Sequence, residues 1–347
     1  MIITRSPLRV SFTGGGTDIP AFYKNYGPGV VVSTAINRYV YVTINQKFDG
    51  KVSVRYRVHE MTDSVEDIRH PLIRECLLAF DVHKGVEIVI ASEVPARGSG
   101  LGASSALACA LVQAIWKYTG LPETICKEDL AKFAANIEIN KVGSPIGKQD
   151  HYASAMGGLN LLKFNADDMV EIERYHTDDF TRELQDQSML FYLDIEHQYY
   201  VEAGHAKDRN FVQTILRDQL REVPEKHKIH ELQRDNAMQM WEHMKYANIE
   251  RFMDHVNENW RLKRKVHNNI SNELIDMIIA RAYKAGATAA KVCGAGGGGF
   301  LYLLVPPSMQ DSVRAELSEL HELKFLFDWQ GTKCIYEDKE NYVASSH

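Results

Sequence analysis

Between a predicted strand and a predicted helix, the chain reads Pro95-Ala-Arg-Gly98-Ser-Gly100-Leu-Gly102-Ala-Ser104-Ser105-Ala106. The first turn of a helix has backbone N–H groups without partners and lies at the positive end of the dipole, so it attracts phosphate. Glycines let the backbone come close to phosphate oxygens, and a serine hydroxyl is an oxygen ligand of the kind Mg²⁺ prefers. The stretch therefore predicts a phosphate site, although a flexible loop with a serine N-cap fits the same letters.

Two better-known phosphate loops do not fit the sequence. The nearest match to a Walker A motif, Gly143–Gln149, is one residue short and has Gln149 where a metal-binding hydroxyl belongs. The spacing Gly98-x-Gly100-x-x-Ala103 resembles a dinucleotide fingerprint, but that motif needs an acidic residue at the end of a second strand about 20 residues later. The chain there, Thr119–Asp129, is predicted as a loop entering a helix. The sequence therefore does not support a dinucleotide-binding dehydrogenase.

Two further glycine clusters lie near the ends of the chain. The first, Pro7–Asp18, contains Gly14-Gly-Gly-Thr-Asp18 after a predicted strand. An ordinary turn explains one or two of these glycines, whereas three suggest that something lies close to the backbone, and the aspartate would suit a sugar's hydroxyls. The second, Lys291–Phe300, has five glycines among six residues, which predicts a close approach by a ligand or by another backbone segment.

An acid pair lies between these clusters. Glu138 falls late in a helix predicted over about 128–141, and Asp150 begins the next helix, two residues after Lys148. Phosphoryl transfer requires a carboxylate for Mg²⁺ and often a base near the attacking hydroxyl, with a cation to neutralise the phosphate. Simpler roles also fit, since Glu138 would pair with Lys141 at i+3 and Asp150 would serve as an N-cap.

The order of predicted elements indicates an α+β protein of two domains. Strands gather at both ends of the chain with helices between them, rather than alternating regularly. A polar stretch around residues 177–187 places the boundary so that the domains are 1–185 and 186–347. Near the start, alternating apolar residues on both sides of Asp49-Gly50 predict a β-hairpin.

The composition excludes several classes of protein. The net charge is −6, without the basic excess typical of nucleic-acid-binding proteins, and the densest basic run, Arg261–Lys265, is predicted as a solvated helix face. Five scattered cysteines without CxxC spacing argue against a disulfide framework and a structural zinc site. The absence of a long apolar run or secretion signal predicts a cytoplasmic protein that does not enter a membrane. The oligomeric state is left open, a homo-oligomer included.

Taken together, the three glycine motifs and the acid pair resemble the GHMP kinase superfamily, named for galacto-, homoserine, mevalonate and phosphomevalonate kinases. The motifs Pro7–Asp18, Pro95–Ala106 and Lys291–Phe300 occur in the family's order and span most of the chain. The resemblance implies a ribosomal S5 domain 2-like N-terminal domain, a ferredoxin-like C-terminal domain and a catalytic cleft between them. It also implies ATP and Mg²⁺ as cofactors and a small-molecule sugar or sugar phosphate as the acceptor.

The resemblance assigns a role to individual residues. It implies that Asp150 is the base, helped by Lys148, and that Glu138 holds Mg²⁺ with Ser104 or Ser105. Because Ala103 adds one residue to the family's pattern, the choice between the two serines stays open. The residues implied to wrap the ATP phosphates are Gly98, Ser99, Gly100, Leu101, Gly102, Ala103, Ser104 and Ser105. Those implied to bind the acceptor are Arg9, Gly15, Gly16, Thr17, Asp18, Gly296 and Gly297.

Within the superfamily the first motif and the segment Gly147–Gly158 are most similar to sugar 1-kinases. The subgroup they resemble most is that of D-glycero-D-manno-heptose 7-phosphate kinases, with L-fucokinase-type enzymes related. Gly14-Gly-Gly-Thr-Asp18 departs from the Gly-Glu-His-Thr-Asp usual in galactokinases. The resemblance thus implies a kinase acting on the anomeric hydroxyl of a heptose 7-phosphate. The alternatives are a kinase of an unphosphorylated sugar, L-fucokinase- or galactokinase-like, and, ranked below both, a non-catalytic sugar and nucleotide sensor.

Overall fold

The computed structural model describes residues 1–95, 98–121, 125–176, 178–193 and 211–338. Within these ranges the strands form two separate sheets, with helices packed against both. The strands are β1 (Ile2–Thr13), β2 (Gly29–Gln46), β3 (Val52–Arg55), β4 (His59–Thr62), β5 (Val86–Ser92), β6 (Leu159–Phe164), β7 (Val170–Arg174), β8 (Ser188–Leu193), β9 (Ala289–Val292), β10 (Gly299–Leu304), β11 (His321–Glu322) and β12 (Lys333–Glu337). The α+β class predicted from the sequence is confirmed.

Ten α-helices connect and cover these strands in the described residues. They are α1 (Pro20–Tyr23), α2 (Pro71–Leu78), α3 (Ala103–Tyr118), α4 (Lys127–Ala135), α5 (Gln149–Met156), α6 (Asp179–Gln187), α7 (Phe211–Lys245), α8 (Ile249–Lys263), α9 (Glu273–Ala285) and α10 (Gln310–Glu316). The helix predicted over about 128–141 is present, but its second half, Asn136–Lys141, is a π-helical turn. None of these helices is long and apolar enough to cross a membrane.

The first sheet has eight strands and is built around the long strands β1 and β2. Its order is β12-β1-β2-β5-β3-β4, and β6 with β7 extends from β2. Helix α3 packs on β1 and β2 and is apolar on nearly all sides, as expected of a helix buried within a core. The glycine loop before α3 is therefore held on a rigid support.

The second sheet has four antiparallel strands in the order β11-β8-β10-β9. Along the chain the unit runs strand, helices, strand, strand, helix, strand, which is the ferredoxin-like βαββαβ sequence of elements. A core of apolar residues from β8, β9, β10 and α9 lies within this unit. A further core cluster joins residues of β1, α7, α8 and β10, so the two sheets share packed side chains.

The strand pairing corrects one sequence-based prediction and adds one long-range contact that the sequence analysis did not address. The hairpin predicted across Asp49 and Gly50 is wrong: β5 pairs with β2, and β3 lies parallel to β5 on its far side. The last strand, β12, pairs antiparallel with β1 in the first sheet, although it falls within the predicted second domain of 186–347. The end of the described chain thus returns to the N-terminal sheet.

Candidate active site

The glycine loop before α3 forms the start of the site. Gly100 and Gly102 have φ values of +72° and +75°, in the left-handed region that favours glycine. Among the described residues no side chain caps α3 at Gly102, so the first N–H groups of this helix are available to an anion. Ser104 is exposed at this helix end, while Ser105 is fully buried. Ser99, also in the loop, is buried.

The glycine-rich loop between β9 and β10 packs directly on this first loop. A Cβ atom on Gly294 would lie 2.4 Å from Gly100 Cα, and one on Gly299 would lie 2.3 Å from the Gly98 carbonyl oxygen. The N–H of Phe300 also donates to the Ser99 carbonyl at 3.1 Å. These glycines are therefore explained by a backbone approach, one of the two alternatives left open by the sequence.

Gly296 and Gly297, predicted to bind the acceptor, face a different neighbour. A Cβ on Gly296 would lie 2.8 Å from the Ile270 carbonyl oxygen, and the Gly297 N–H donates to that same oxygen at 2.9 Å. Both glycines thus contact the turn that precedes α9. Their contact with an acceptor stays a prediction.

Glu138 is a buried carboxylate on the π-helical turn, beside the start of α3. Its Oε2 accepts hydrogen bonds from Ser105 Oγ at 3.0 Å and from His151 Nε2 at 2.7 Å. Burial opposes ionisation, but these bonds, the charge of His151 and a contribution from Ser104 outweigh it and lower the pKa of Glu138. The structure therefore brings together Glu138 and both serines named as metal ligands. It adds His151, which the sequence analysis did not single out.

Asp150, the predicted base, lies in the first turn of α5 and is held by Arg9 of β1. Arg9 Nε donates to Asp150 Oδ1 at 2.7 Å and Arg9 Nη2 donates to Oδ2 at 2.6 Å, which is a two-pronged pair. The third guanidinium nitrogen donates to the Gly100 carbonyl. A Cβ on Gly102 would lie 3.3 Å from Asp150 Oδ2. The carboxylate thus lies against the glycine loop.

Lys148 takes a different partner from the one predicted. Its Nζ lies 2.9 Å from Asp168 Oδ1, and Asp168 also accepts from Lys24 and from the Tyr23 hydroxyl. Arg9, which the resemblance assigned to the acceptor, is the cation in contact with Asp150. Whether Lys148 acts in the reaction stays a prediction.

Asp18 ties the first glycine motif to the start of α5. Its Oδ2 accepts from the Gln149 backbone N–H at 3.0 Å, and its Oδ1 accepts from the Gln149 side chain and the Gly16 N–H, each at 3.1 Å. Burial raises the pKa of Asp18, and the negative charge of Asp150 raises it further, against the effect of these hydrogen bonds. Thr17 is buried, and its hydroxyl donates to the Gly14 carbonyl at 2.7 Å. Thr17 thus closes the turn, while Gly15 and Gly16 stay partly exposed.

Two amines next to the site, Lys291, which is buried, and Lys263, which is half-buried, were missed by the sequence analysis. Lys291 Nζ donates to the carbonyls of Ser11 and Phe12, and burial lowers the pKa of Lys291 to about 7. Lys263 donates to the Gly294 carbonyl, and burial lowers the pKa of Lys263 to about 8. The prediction that the run Arg261–Lys265 is a solvated face is therefore wrong for Lys263. Its position within a basic run gave no sign of this contact.

Family models match both parts of the chain. The model of the GHMP kinases N terminal domain matches residues 70–158, and that of the GHMP kinases C terminal domain matches residues 244–323. The chain belongs to the GHMP kinase family. It is an ATP-dependent kinase, in agreement with the sequence-based expectation.

Curated relatives of this GHMP kinase include sugar kinases. The chain is 27% identical to a D-glycero-alpha-D-manno-heptose 7-phosphate kinase of Campylobacter jejuni, over 96% of this chain and 97% of the relative. It is 26% identical to the L-fucokinase/L-fucose-1-P guanylyltransferase of Bacteroides fragilis, over 91% of this chain and 36% of that longer protein.

Solved structures share the fold of this GHMP kinase. A D-glycero-D-manno-heptose 1-phosphate kinase from Bacteroides thetaiotaomicron superposes with a TM-score of 0.75 at 22% identity, covering 97% of this chain and all of that one. Lactococcus lactis galactokinase in complex with galactose gives a TM-score of 0.70 at 16% identity, covering 96% and 94% of the two chains. At these identities the likeness concerns the fold.

Proposed function

We propose that this GHMP kinase transfers the γ-phosphoryl group of ATP to the anomeric C1 hydroxyl of D-glycero-D-manno-heptose 7-phosphate. The product is the 1,7-bisphosphate, an intermediate for nucleotide-activated heptose synthesis. The observation that carries the proposal is the Asp150 carboxylate, fixed by Arg9 against Gly100 and Gly102 of the glycine loop. The choice of sugar is supported by the Campylobacter jejuni relative, which aligns with this chain over nearly its whole length.

Each residue then has a task that follows from its position. Phosphoryl transfer depends mainly on positioning and on charge stabilisation. The free N–H groups at the start of α3 hold the phosphates, and Asp150 accepts the proton of the attacking hydroxyl. Arg9 occupies both oxygens of Asp150 and so fixes the orientation of the carboxylate, while its positive charge lies beside the glycine loop.

The residues around Glu138 fit a magnesium site. Mg²⁺ in kinases takes one or two carboxylates and completes its shell with phosphate oxygens and water. Ser105 and His151 both donate to Oε2 of Glu138, so Oε1 together with the Ser104 hydroxyl, which also interacts with this carboxylate, would hold the cation. The exposed hydroxyl of Ser104 lies at the same helix end. When bound, Mg²⁺ would neutralise part of the charge on the phosphates.

Replacing Asp150 by Asn should lower kcat by about two orders of magnitude or more, the range for loss of a general base. The amide keeps the shape of the side chain but cannot take the proton. Steady-state assays of sugar-dependent ADP release measure the effect. Asp311→Asn is the matched control, because it removes an exposed acid that pairs with Arg314 within α10. Full turnover by Asp150→Asn would remove Asp150 from the mechanism.

Replacing Glu138 by Gln should raise the Mg²⁺ concentration needed for half-maximal activity by about tenfold or more, because one anionic oxygen ligand is lost. The measurement is a metal titration of activity at fixed ATP, with a parallel titration of Mn²⁺ binding followed by its electron paramagnetic resonance signal. An unchanged titration in both assays would count against a metal role for Glu138.

The second candidate is a kinase of an unphosphorylated sugar such as L-fucose, supported by the Bacteroides fragilis relative. A phosphorylated acceptor needs cations away from Asp150, and Lys24 and Lys148 supply two amines beside the start of α5. A panel of heptose 7-phosphate, free heptose, L-fucose and galactose, assayed for ADP release, separates the two. Higher kcat/KM without the distal phosphate would favour the second candidate. If no sugar stimulates ADP release, the sensor alternative is favoured and the proposed function fails.

A further inference from the structure

One face of α7 carries three buried polar side chains at intervals of three residues, His230, Gln233 and Asn236. Asn236 is fully occupied: its amide donates to Thr13 Oγ1 and to the His255 carbonyl, each at 2.9 Å, and its oxygen lies 2.7 Å from His255 Nδ1. This residue supports the first glycine motif and has a clear structural role. The two residues before it on the helix differ from it.

His230 and Gln233 are 2% and 1% exposed, and among the described residues none of their four polar atoms meets the distance and angle of a hydrogen bond, although the two side chains lie close enough for Gln233 to raise the pKa of His230 against the effect of burial. The same holds for Ser11 Oγ and Gln149 Oε1, across the first glycine motif from α7. We name Ser11, Gln149, His230 and Gln233 the polar cluster. A buried polar group without a partner is destabilising, so its presence calls for an explanation.

The polar cluster borders the residues expected to face the acceptor. A Cβ on Gly16 would lie 3.1 Å from His230 Cε1, and one on Gly15 would lie 3.4 Å from Gln149 Nε2 and 3.7 Å from Ser11 Oγ. Gln149 precedes Asp150 directly and is bound by Asp18. Since Gly15 and Gly16 have no side chains and are partly exposed, the cluster lies just behind an open edge of the site.

The chemistry of the cluster matches a polyhydroxylated ligand. A neutral imidazole, a carboxamide and a hydroxyl each offer a donor and an acceptor, as sugar hydroxyls do. Burial keeps His230 uncharged at neutral pH, because it lowers the pKa of His230 to about 4. An uncharged cluster suits hydroxyl groups better than a phosphate, which requires cations.

We propose that His230 and Gln233 of α7 are specificity-determining residues that bind ring hydroxyls of the acceptor sugar, together with Ser11 and Gln149. The proposal rests on the proposed function, since it assumes a sugar acceptor beside Asp150. The polar atoms are closed to water in the structure, so binding of the acceptor to them would require α7 and the Gly14–Asp18 turn to separate. The sugar hydroxyls then satisfy groups that the protein leaves without partners.

The test compares Gln233→Leu and His230→Leu with wild type, and uses Gln239→Leu, an exposed position on the same helix, as the control. Heptose 7-phosphate is the probe, or the panel sugar that wild type turns over best. We expect the acceptor KM to rise about tenfold in each cluster variant, as for a lost hydrogen bond, while the KM for ATP stays within about twofold.

The melting temperature of each cluster variant should be equal to or higher than that of wild type, because an apolar side chain replaces a polar group without partners. His230→Gln should restore part of the acceptor affinity.

Sugar-induced shifts in melting temperature provide a second reading that does not depend on turnover. Cluster variants that keep the wild-type acceptor KM and the wild-type thermal shift would overturn the proposal. So would variants that only lose stability, which would indicate that the cluster holds structural water. If wild type itself shows neither sugar-dependent turnover nor a sugar-induced shift, the proposed function has failed, which is a distinct outcome.

Discussion

At the scale of single residues, His230 makes the stability of the fold depend on pH. The imidazole is buried near Phe22 and Gln233, and burial lowers its pKa from 6.5 to about 4. Between these two pH values the unfolded chain binds a proton at this residue and the folded chain does not. Stability from His230 is therefore present above pH 6.5 and is lost as the pH falls towards 4.

We expect acidification from pH 6.5 to 4 to lower the free energy of unfolding of wild type by up to about 3 kcal/mol more than that of His230→Leu. Urea denaturation at several pH values measures this difference. Other groups also titrate in this range, such as Asp18, whose pKa is raised. They are present in both wild type and His230→Leu, so their contributions cancel in the difference between the two proteins. If the two proteins lose stability in parallel as the pH falls, the pKa of His230 is not lowered by folding.

Glu138 and Asp150 could be identified from the sequence because each lies in a local pattern, at the end or at the start of a helix. The residues that contact these two acids could not be identified in this way. Arg9 is 141 residues from Asp150, and its pairing depends on β1 lying beside α5. Likewise, the contact of Lys263 with Gly294 depends on how α8 packs on the second sheet. Sequence patterns thus indicate reactive groups more readily than the long-range contacts that orient them.

At the scale of elements, the close packing of the two glycine loops makes a specific prediction. Gly294→Ala should lower the free energy of unfolding by several kcal/mol and raise the KM for ATP, because the new Cβ would lie 2.4 Å from Gly100 Cα. Gly50→Ala is the control: its φ of +71° is close to the +66° of Gly294, but nothing lies within 4 Å of its Cβ. It should cost only about 1 kcal/mol of backbone strain. Denaturation curves and ATP titrations would reveal the difference. If Gly294→Ala and Gly50→Ala have equal effects, the positive φ alone explains the glycine at position 294, and the contact with Gly100 does not matter.

Most elements were predictable from periodicity, because helices such as α3 and strands such as β5 carry strong local patterns. The pairing around Asp49-Gly50 was not predictable, because the turn residues indicate that β2 pairs with β3, whereas β5 is the strand that pairs with β2. Whether β3 or β5 pairs with β2 is decided by packing against the whole sheet, which the turn residues do not encode.

At the scale of the whole molecule, β12 joins the end of the described chain to its beginning. Ending the chain after Gly331 should destabilise the first sheet and promote aggregation, because one edge of β1 would lose its partner strand. Ending it after Asp338 keeps β12 and serves as the control. Melting temperature and light scattering measure the two outcomes. A shorter protein as stable as the control would show that β12 is dispensable.

The pairing of β1 with β12 also has a consequence for synthesis on the ribosome. More than 300 residues separate Ile2 from its partner Glu337. The N-terminal half of a nascent chain emerges first, yet its sheet keeps an open border until β12 has been made. That border of β1 therefore stays without its partner strand for as long as the residues between β1 and β12 are being added.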